Sequence, residues 1–192
     1  MTTNSRLLFG ITFFLALISC DREDGQVEAN KSPGPSASHA LSRVLLTEAP
    51  EGPVSITEAR RKPIPGTRVV LSGKIMGNEK PIIQSRALLT LGDPARITSC
   101  DLIPGDECKT PWDVCCADPD VVTASVATIQ VLDEKGRPLK AGLRGLGGLK
   151  ELSSLIVVGE VAEGSNENNY LVNATGIHVA MVPTGGTTET KP

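Results

Sequence analysis

Two stretches of sequence decide the fold of this chain: Val69-Val70-Leu71-Ser72-Gly73-Lys74-Ile75 and Leu155-Ile156-Val157-Val158-Gly159-Glu160-Val161. In each, a hydrophobic run meets a glycine just before a charged residue. Apolar and polar residues alternate in the first stretch, which predicts a strand with one buried face. Glycine at such a point relieves crowding where a strand bends sharply around a small barrel.

Three further segments have the composition of strands: residues 87–91, 121–132 and 170–181. Between residues 139 and 152 the leucines recur at helical spacing, but several glycines interrupt them, which predicts a short helix. The predicted order along the chain is therefore three strands, a short helix and two more strands.

This order, together with the two glycine-containing strands, resembles the OB-fold over roughly residues 66 to 182. The resemblance implies a mainly β domain, a small five-stranded barrel. In this predicted barrel, a short helix is expected between strands 3 and 4, and a cysteine-rich loop between strands 2 and 3. Other OB domains bind oligonucleotides and saccharides on the face of strands 2 and 3. A different small β-barrel or a fragment of a β-sandwich is the alternative.

The first twenty residues predict export and lipid attachment. After Arg6, the apolar run from Leu7 to Ile18 would form about 18 Å of helix, too short for a hydrocarbon core of about 30 Å. Leu17-Ile18-Ser19-Cys20 resembles the lipobox of bacterial lipoproteins. The resemblance implies cleavage before Cys20, lipid on Cys20, and a membrane-anchored protein facing the periplasm or the cell exterior.

Composition divides the chain into four regions. Ser32-Pro33-Gly34-Pro35-Ser36 belongs to a polar segment that buries too little apolar surface to fold. Ser55 and Glu58 match a capping box, which predicts a helix start just before the strands. We expect a signal peptide at residues 1–19, a lipidated and largely disordered tether at 20–53, the barrel domain at 54–183 and a disordered tail at 184–192.

Charge and aromatic content argue against a nucleic-acid partner. The formal net charge of −3 becomes −4 once Arg6 is removed with the leader. All three phenylalanines lie in that leader, so the mature chain keeps one tryptophan and one tyrosine. A nucleic-acid surface needs clustered basic side chains and stacking aromatics. A nucleic-acid-binding OB domain is therefore disfavoured.

The most informative segment is the long loop after the second strand, which holds Cys100, Cys108, Cys115 and Cys116. Outside the cytoplasm, four cysteines predict two disulfides. Because adjacent cysteines rarely bond each other, Cys115 and Cys116 would each reach back to Cys100 or Cys108. Each bridge would stabilise the domain by about 2–3 kcal/mol.

Two alternatives for these cysteines are a metal site with four thiolates and a thiol-redox role. The Cys-x7-Cys-x6-Cys-Cys spacing lacks the Cys-x2-Cys pair typical of zinc sites and of thiol–disulfide enzymes. The loop is also strongly acidic, but its residues do not follow the ligand order of an EF-hand. A solvated acidic face is the simpler interpretation of these carboxylates.

No catalytic motif is present in the sequence. His39 lies in the tether, and His178 in the last strand is expected to be a half-exposed residue on the face of Tyr170 and Val172. The chain lacks a Gly-x-Ser-x-Gly elbow, a phosphate-binding loop and a His-Glu-x-x-His helix. We therefore expect neither an enzyme nor a cofactor.

The sequence thus predicts a lipoprotein that carries a non-catalytic binding or structural module of the cell envelope. Its expected partners are membrane lipid through Cys20 and a protein or envelope ligand. Trp112 is either an exposed binding anchor or a cover for the disulfides and the barrel mouth. The alternative function is metal binding or thiol redox chemistry in the loop from Cys100 to Cys116.

Overall fold

A computed structural model describes residues 35–180 of the chain. The predicted signal peptide, the lipidation site Cys20, the first part of the tether and the predicted tail lie outside the described residues. Within residues 35–180, every helix is too short or too polar to span a bilayer.

Helices α1 to α3 and strands β1 to β6 alternate irregularly along the described chain. In chain order they are α1 Pro35–Val44, β1 Val54–Ser55, α2 Ile56–Ala59, β2 Arg68–Ile75, β3 Leu88–Gly92, α3 Pro119–Ser125, β4 Val126–Gln130, β5 Ser154–Val161 and β6 Leu171–Ala180. Two 3₁₀ turns, Cys100–Leu102 and Leu146–Gly148, lie in the longer loops.

Strands β2 to β6 close into a barrel in the order β2-β3-β4-β6-β5, with β5 pairing back to β2. The β4–β6 pair is parallel, and the other barrel pairs are antiparallel. The mainly β, five-stranded OB-like barrel predicted from the sequence is therefore confirmed. β1 adds to its outside as a short parallel neighbour of β2.

The two glycines that marked the barrel strands lie where neighbouring atoms leave no room for a side chain. A Cβ on Gly73 would lie 2.6 Å from Leu91 Cγ, and one on Gly159 would lie 2.5 Å from the Asn173 carbonyl oxygen. The register of β5 and β6 shifts next to Gly159. Glycine there permits the close approach that a small barrel requires.

The third barrel strand begins later than predicted, because residues 119–125 form helix α3. Asp118 caps this helix by accepting hydrogen bonds from the backbone N–H groups of Asp120 and Val121. Pro119 occupies its first turn, where proline is favoured. This local start signal prevails over the β-branched residues that follow, so the strand covers only Val126–Gln130.

Between β4 and β5, at the predicted position, the short helix is a single 3₁₀ turn, Leu146–Gly148. Gly145, Gly147 and Gly148 all have positive φ, a conformation that ends helical propagation. Before the barrel, the Ser55 half of the predicted capping box is present. The Ser55 hydroxyl accepts the Glu58 N–H at 3.2 Å and begins α2.

The folded part begins earlier than the predicted boundary at Val54. Helix α1 lies against β6, where its Leu41 is buried. The chain after α1 is held to the barrel by a hydrogen bond of 2.8 Å from Leu46 N–H to the Ile177 carbonyl oxygen. The apolar side of α1 thus packs against the barrel at β6.

A bulge in β6 changes which of its residues face the core. Val172 and Ala174 are buried before the bulge, and Ile177 is buried after it. Thr175 has no cross-strand partner in the register, so the alternation shifts by one residue. His178 therefore lies on the face opposite Val172, and the predicted shared face was wrong.

Candidate metal centre

The cysteine loop joins β3 to α3 and is held closed by backbone hydrogen bonds. The N–H of Cys100 donates to the Asp113 carbonyl, and that of Asp101 donates to Pro111, both at 2.9 Å. Beneath them, the buried side chains of Met76, Ile97 and Val114 form a small second core. These contacts give the loop a fixed path without a covalent crosslink.

A tight turn positions the middle cysteine. The Asp106 N–H donates to the Ile103 carbonyl at 3.2 Å, and Gly105 has a φ of +78°. The intervening Pro104-Gly105 pair is typical of a type II turn. Asp106 Oδ1 then accepts the Cys108 N–H at 2.7 Å, which fixes the start of the return segment.

Three of the four loop cysteines converge on one point. The Sγ atoms of Cys100, Cys108 and Cys115 all lie within 4.8 Å of one another. The Cys100–Cys115 sulfur distance is 3.6 Å, and Cys116 Sγ lies 4.0 Å from Cys115 Sγ. Cys100 is buried, Cys108 half-buried, and Cys115 and Cys116 are exposed, so the cluster opens to solvent on one side.

The predicted disulfides are absent from the described chain, where all four loop cysteines are free thiols. The 3.6 Å between Cys100 and Cys115 far exceeds the S–S bond length of about 2.05 Å. The loop is closed instead by its backbone hydrogen bonds and by the small second core. Three sulfur atoms meet around one centre rather than in two separate pairs.

Their spacing matches the ligand shell of a metal ion. In a tetrahedral thiolate site with metal–sulfur distances of about 2.3 Å, neighbouring sulfurs lie roughly 3.8 Å apart. The Cys100–Cys115 distance of 3.6 Å is close to this value. The third sulfur, Cys108 Sγ, lies within 4.8 Å of both. The residues therefore fit a thiolate-bound ion.

The thiols differ in their electrostatic surroundings. Burial raises the pKa of the Cys100 thiol, and the neighbouring Asp106, Cys115 and Cys108 side chains raise it further. Hydrogen bonds from Thr110 lower the pKa of Cys108, whose sulfur lies 3.3 Å from the Thr110 hydroxyl. A cation between these sulfurs would supply the positive charge that deprotonation of the inner thiol requires.

Most of the loop carboxylates are exposed, as expected for a solvated acidic face, and several also have structural partners. The exposed ones are Asp101, Glu107, Asp118 and Asp120. Asp113 accepts the Val114 N–H at 2.8 Å, Asp118 caps α3, and Asp101 lies 3.5 Å from Lys74 Nζ. Asp106 differs, because its Oδ2 is buried and its carboxylate interacts with the Cys100 thiol. Sequence reasoning assigned Asp106 no role apart from that of the other loop carboxylates, although the Pro104-Gly105-Asp106 turn two residues before Cys108 was an available signal.

Trp112 is half-buried, and its indole N–H donates to the Glu79 carbonyl at 2.9 Å. Its own carbonyl accepts the Gly77 N–H at 3.2 Å, which fixes it against the segment after β2. Together with Ile82, Ile83 and Arg144, it lines an open groove of about 560 Å³. Its role as a binding anchor stays a prediction.

No protein-family model, curated protein or solved structure matches this chain.

Proposed function

We propose that this protein is an exported, membrane-anchored and non-catalytic module of the cell envelope that binds one thiophilic transition-metal ion through Cys100, Cys108 and Cys115. The observation that carries the proposal is the convergence of these three sulfur atoms within 4.8 Å of one another. It favours the metal-binding alternative over the disulfide-stapled loop expected from the cysteine count.

Ligand chemistry supports a transition metal. Thiolates are soft ligands that bind Zn²⁺, Cu⁺ and similar ions far better than Ca²⁺ or Mg²⁺. Three thiols from one loop present such an ion with most of a tetrahedral shell. No Cys-x2-Cys pair is needed, because the loop brings distant residues together.

The barrel supports the site as a rigid base. On β2, Lys74 Nζ lies 3.1 Å from Ser99 Oγ and 3.5 Å from Asp101 Oδ2, beside the first cysteine. On the other side of the loop, Val114 is anchored in the small second core next to Cys115. A site held in this way loses little conformational freedom on binding, which favours affinity.

The membrane part of the proposal rests on the lipobox at Leu17-Ile18-Ser19-Cys20. Lipid on Cys20 would hold the domain at the membrane surface and place its thiols outside the cytoplasm. Labelled fatty acid fed to expressing cells should be incorporated into the wild-type protein. The Cys20→Ala variant should lack the label, and its labelling would contradict lipidation at this residue.

The metal part is tested on the full chain, purified in detergent with reductant and without chelator. We expect about one equivalent of Zn²⁺ or another transition metal to survive dialysis. Cys100→Ser, Cys108→Ser and Cys115→Ser should each weaken retention at least about tenfold, whereas Cys116→Ser serves as the matched thiol control. Less than about a tenth of an equivalent in the wild type, with all four loop thiols titratable, would refute metal binding.

A further inference from the structure

Cys116 lies outside the group of three converging sulfurs but contacts one of its members. Its Sγ is 4.0 Å from Cys115 Sγ, and Cys115 Sγ is in turn 3.6 Å from Cys100 Sγ. Among the described residues, the sulfurs that all lie within 4.8 Å of one another are those of Cys100, Cys108 and Cys115. Cys115 therefore belongs to two sulfur pairs, an inner pair with Cys100 and an outer pair with Cys116.

Both pairs have the spacing of two thiolates on one ion. Two thiolates bound to a tetrahedral ion at about 2.3 Å lie roughly 3.8 Å apart. The inner distance of 3.6 Å and the outer distance of 4.0 Å fall on either side of this value. The outer pair can thus hold an ion next to the inner position, with Cys115 as the shared ligand.

Burial gives these two positions a direction. Cys115 and Cys116 are exposed, Cys108 is half-buried and Cys100 is buried. An ion that arrives from solvent, or a molecule that comes to remove it, therefore meets the outer pair first. The covered Cys100 sulfur offers a second molecule little direct access.

The charge of the adjoining segment favours the approach of a cation. Asp118 and Asp120 follow Cys116 by two and four residues, and both are exposed. Negative charge around a site raises the local concentration of cations and speeds their association. Exposure and charge thus both make the outer pair suited to rapid contact with an ion.

On the basis of the proposed function, we propose that the site exchanges its ion with a second molecule and that Cys116 is the ligand through which the ion enters and leaves. The second molecule presents soft sulfur or nitrogen ligands of its own to the outer pair. As the ion leaves, the Cys116 thiol gives its proton to water and its sulfur bonds the ion, and each incoming ligand that carries a proton releases it likewise. Each cysteine thiolate whose bond to the ion breaks takes up a proton from water, Cys100 and Cys108 first and the outer pair last. The oxidation state of the metal does not change, so the exchange needs no oxidant or reductant.

The test uses the zinc-loaded full chain in detergent with a phosphine reductant, which adds no competing thiol. Transfer of Zn²⁺ to excess pyridylazoresorcinol is followed by the absorbance of the complex, and loading of the metal-free chain is followed in the reverse direction. We expect Cys116→Ser to slow both transfer and loading at least about tenfold, while the Zn²⁺ affinity stays within about threefold of the wild type. In the wild type, the transfer rate should rise with the chelator concentration.

Cys108→Ser should have the opposite signature, with a weaker Zn²⁺ affinity and a faster release, because it removes a ligand of the inner position. Lys109→Gln, at an exposed position of the same loop, is the control and should leave both rates and the affinity unchanged. A structural effect of Cys116→Ser would lower the affinity and would not slow loading and release together.

A wild-type transfer rate in Cys116→Ser would overturn the inference, and so would a rate that does not depend on the chelator concentration. A loss of Zn²⁺ affinity comparable with that of Cys108→Ser would also overturn it, since Cys116 would then be a ligand of the resting site. In each of these cases, zinc retained by the wild type and lost from the variants of Cys100, Cys108 and Cys115 leaves the proposed function standing. If the wild type binds no metal, both proposals fail.

Discussion

Arg60 lies over the ring of Tyr170, with its guanidinium carbon 5.7 Å from the ring centroid. The same guanidinium donates to the Val126 carbonyl at 2.7 Å and to the Glu167 carbonyl. One side chain therefore ties the end of α2 to β4 and to the loop before β6. Burial lowers the pKa of Arg60, which reflects its partial removal from water.

Replacing Arg60 should destabilise the domain, because two backbone carbonyls lose a donor and a cation–π contact is lost. We expect Arg60→Ala to lower the free energy of unfolding by about 2–3 kcal/mol. Urea denaturation followed by circular dichroism measures the change. Arg61→Ala, at the exposed neighbouring position, should stay within about 0.5 kcal/mol of the wild type. Equal effects at both positions would contradict the role given to Arg60.

Removing the hydroxyl of Tyr170 should not harm the protein. This hydroxyl is buried without a hydrogen-bond partner among the described residues, while the ring itself is in the core. Tyr170→Phe keeps the ring and removes the unsatisfied group, so we expect it to be neutral or stabilising by up to about 1 kcal/mol. A loss of more than about 1 kcal/mol in thermal or urea denaturation would show that the hydroxyl has a partner.

Asp93 should make stability depend on acid pH. Its side chain is 1% exposed and accepts the backbone N–H groups of Thr57 and Ala95, each at 3.1 Å. Burial raises the pKa of Asp93, but interactions with the Thr57 side chain, with these two backbone N–H groups and with the Ser55 side chain outweigh it and hold the pKa below the ordinary value of 3.8. A lowered folded-state pKa means that the carboxylate stabilises the fold above the ordinary pKa. This contribution is lost as the pH falls through the lowered pKa.

We therefore expect the free energy of unfolding to decrease between about pH 5 and pH 2 in the wild type. Asp93→Asn should lose this part of the pH dependence. It should also be less stable at neutral pH by about 1–3 kcal/mol, because an amide N–H₂ would face a backbone donor. Glu134→Gln, at an exposed position, is the control and should retain the wild-type acid profile. An unchanged profile in Asp93→Asn would contradict the prediction.

A methyl group at Gly159 should distort the barrel. The Cβ would lie 2.5 Å from the Asn173 carbonyl oxygen, and the β5–β6 register leaves little freedom to move apart. We expect Gly159→Ala to cost about 1–3 kcal/mol of folding free energy, measured by thermal unfolding. Glu160→Ala, the next and exposed position on the strand, should cost less than about 0.5 kcal/mol.

The barrel was predictable because its signals are local. One such signal is the alternation of apolar and polar residues in β2. The glycines where strands crowd and the Ser55–Glu58 cap are two more. The start of α3 also had a local signal in the sequence, Asp118 followed by Pro119. It was missed because the β-branched residues after it also favour a strand. The face of His178 was not predictable, since the bulge at Thr175 arises from pairing with β5.

By itself, the sequence determined that four cysteines share one acidic loop between the second and third barrel strands. The lipobox also predicts, as we propose, that this loop lies outside the cytoplasm. Only the tertiary structure decided which sulfur atoms meet. The physical reason is that these positions depend on hydrogen bonds between distant residues, such as Cys100 to Asp113, and on a second core formed with Met76. No periodicity along the chain encodes such contacts.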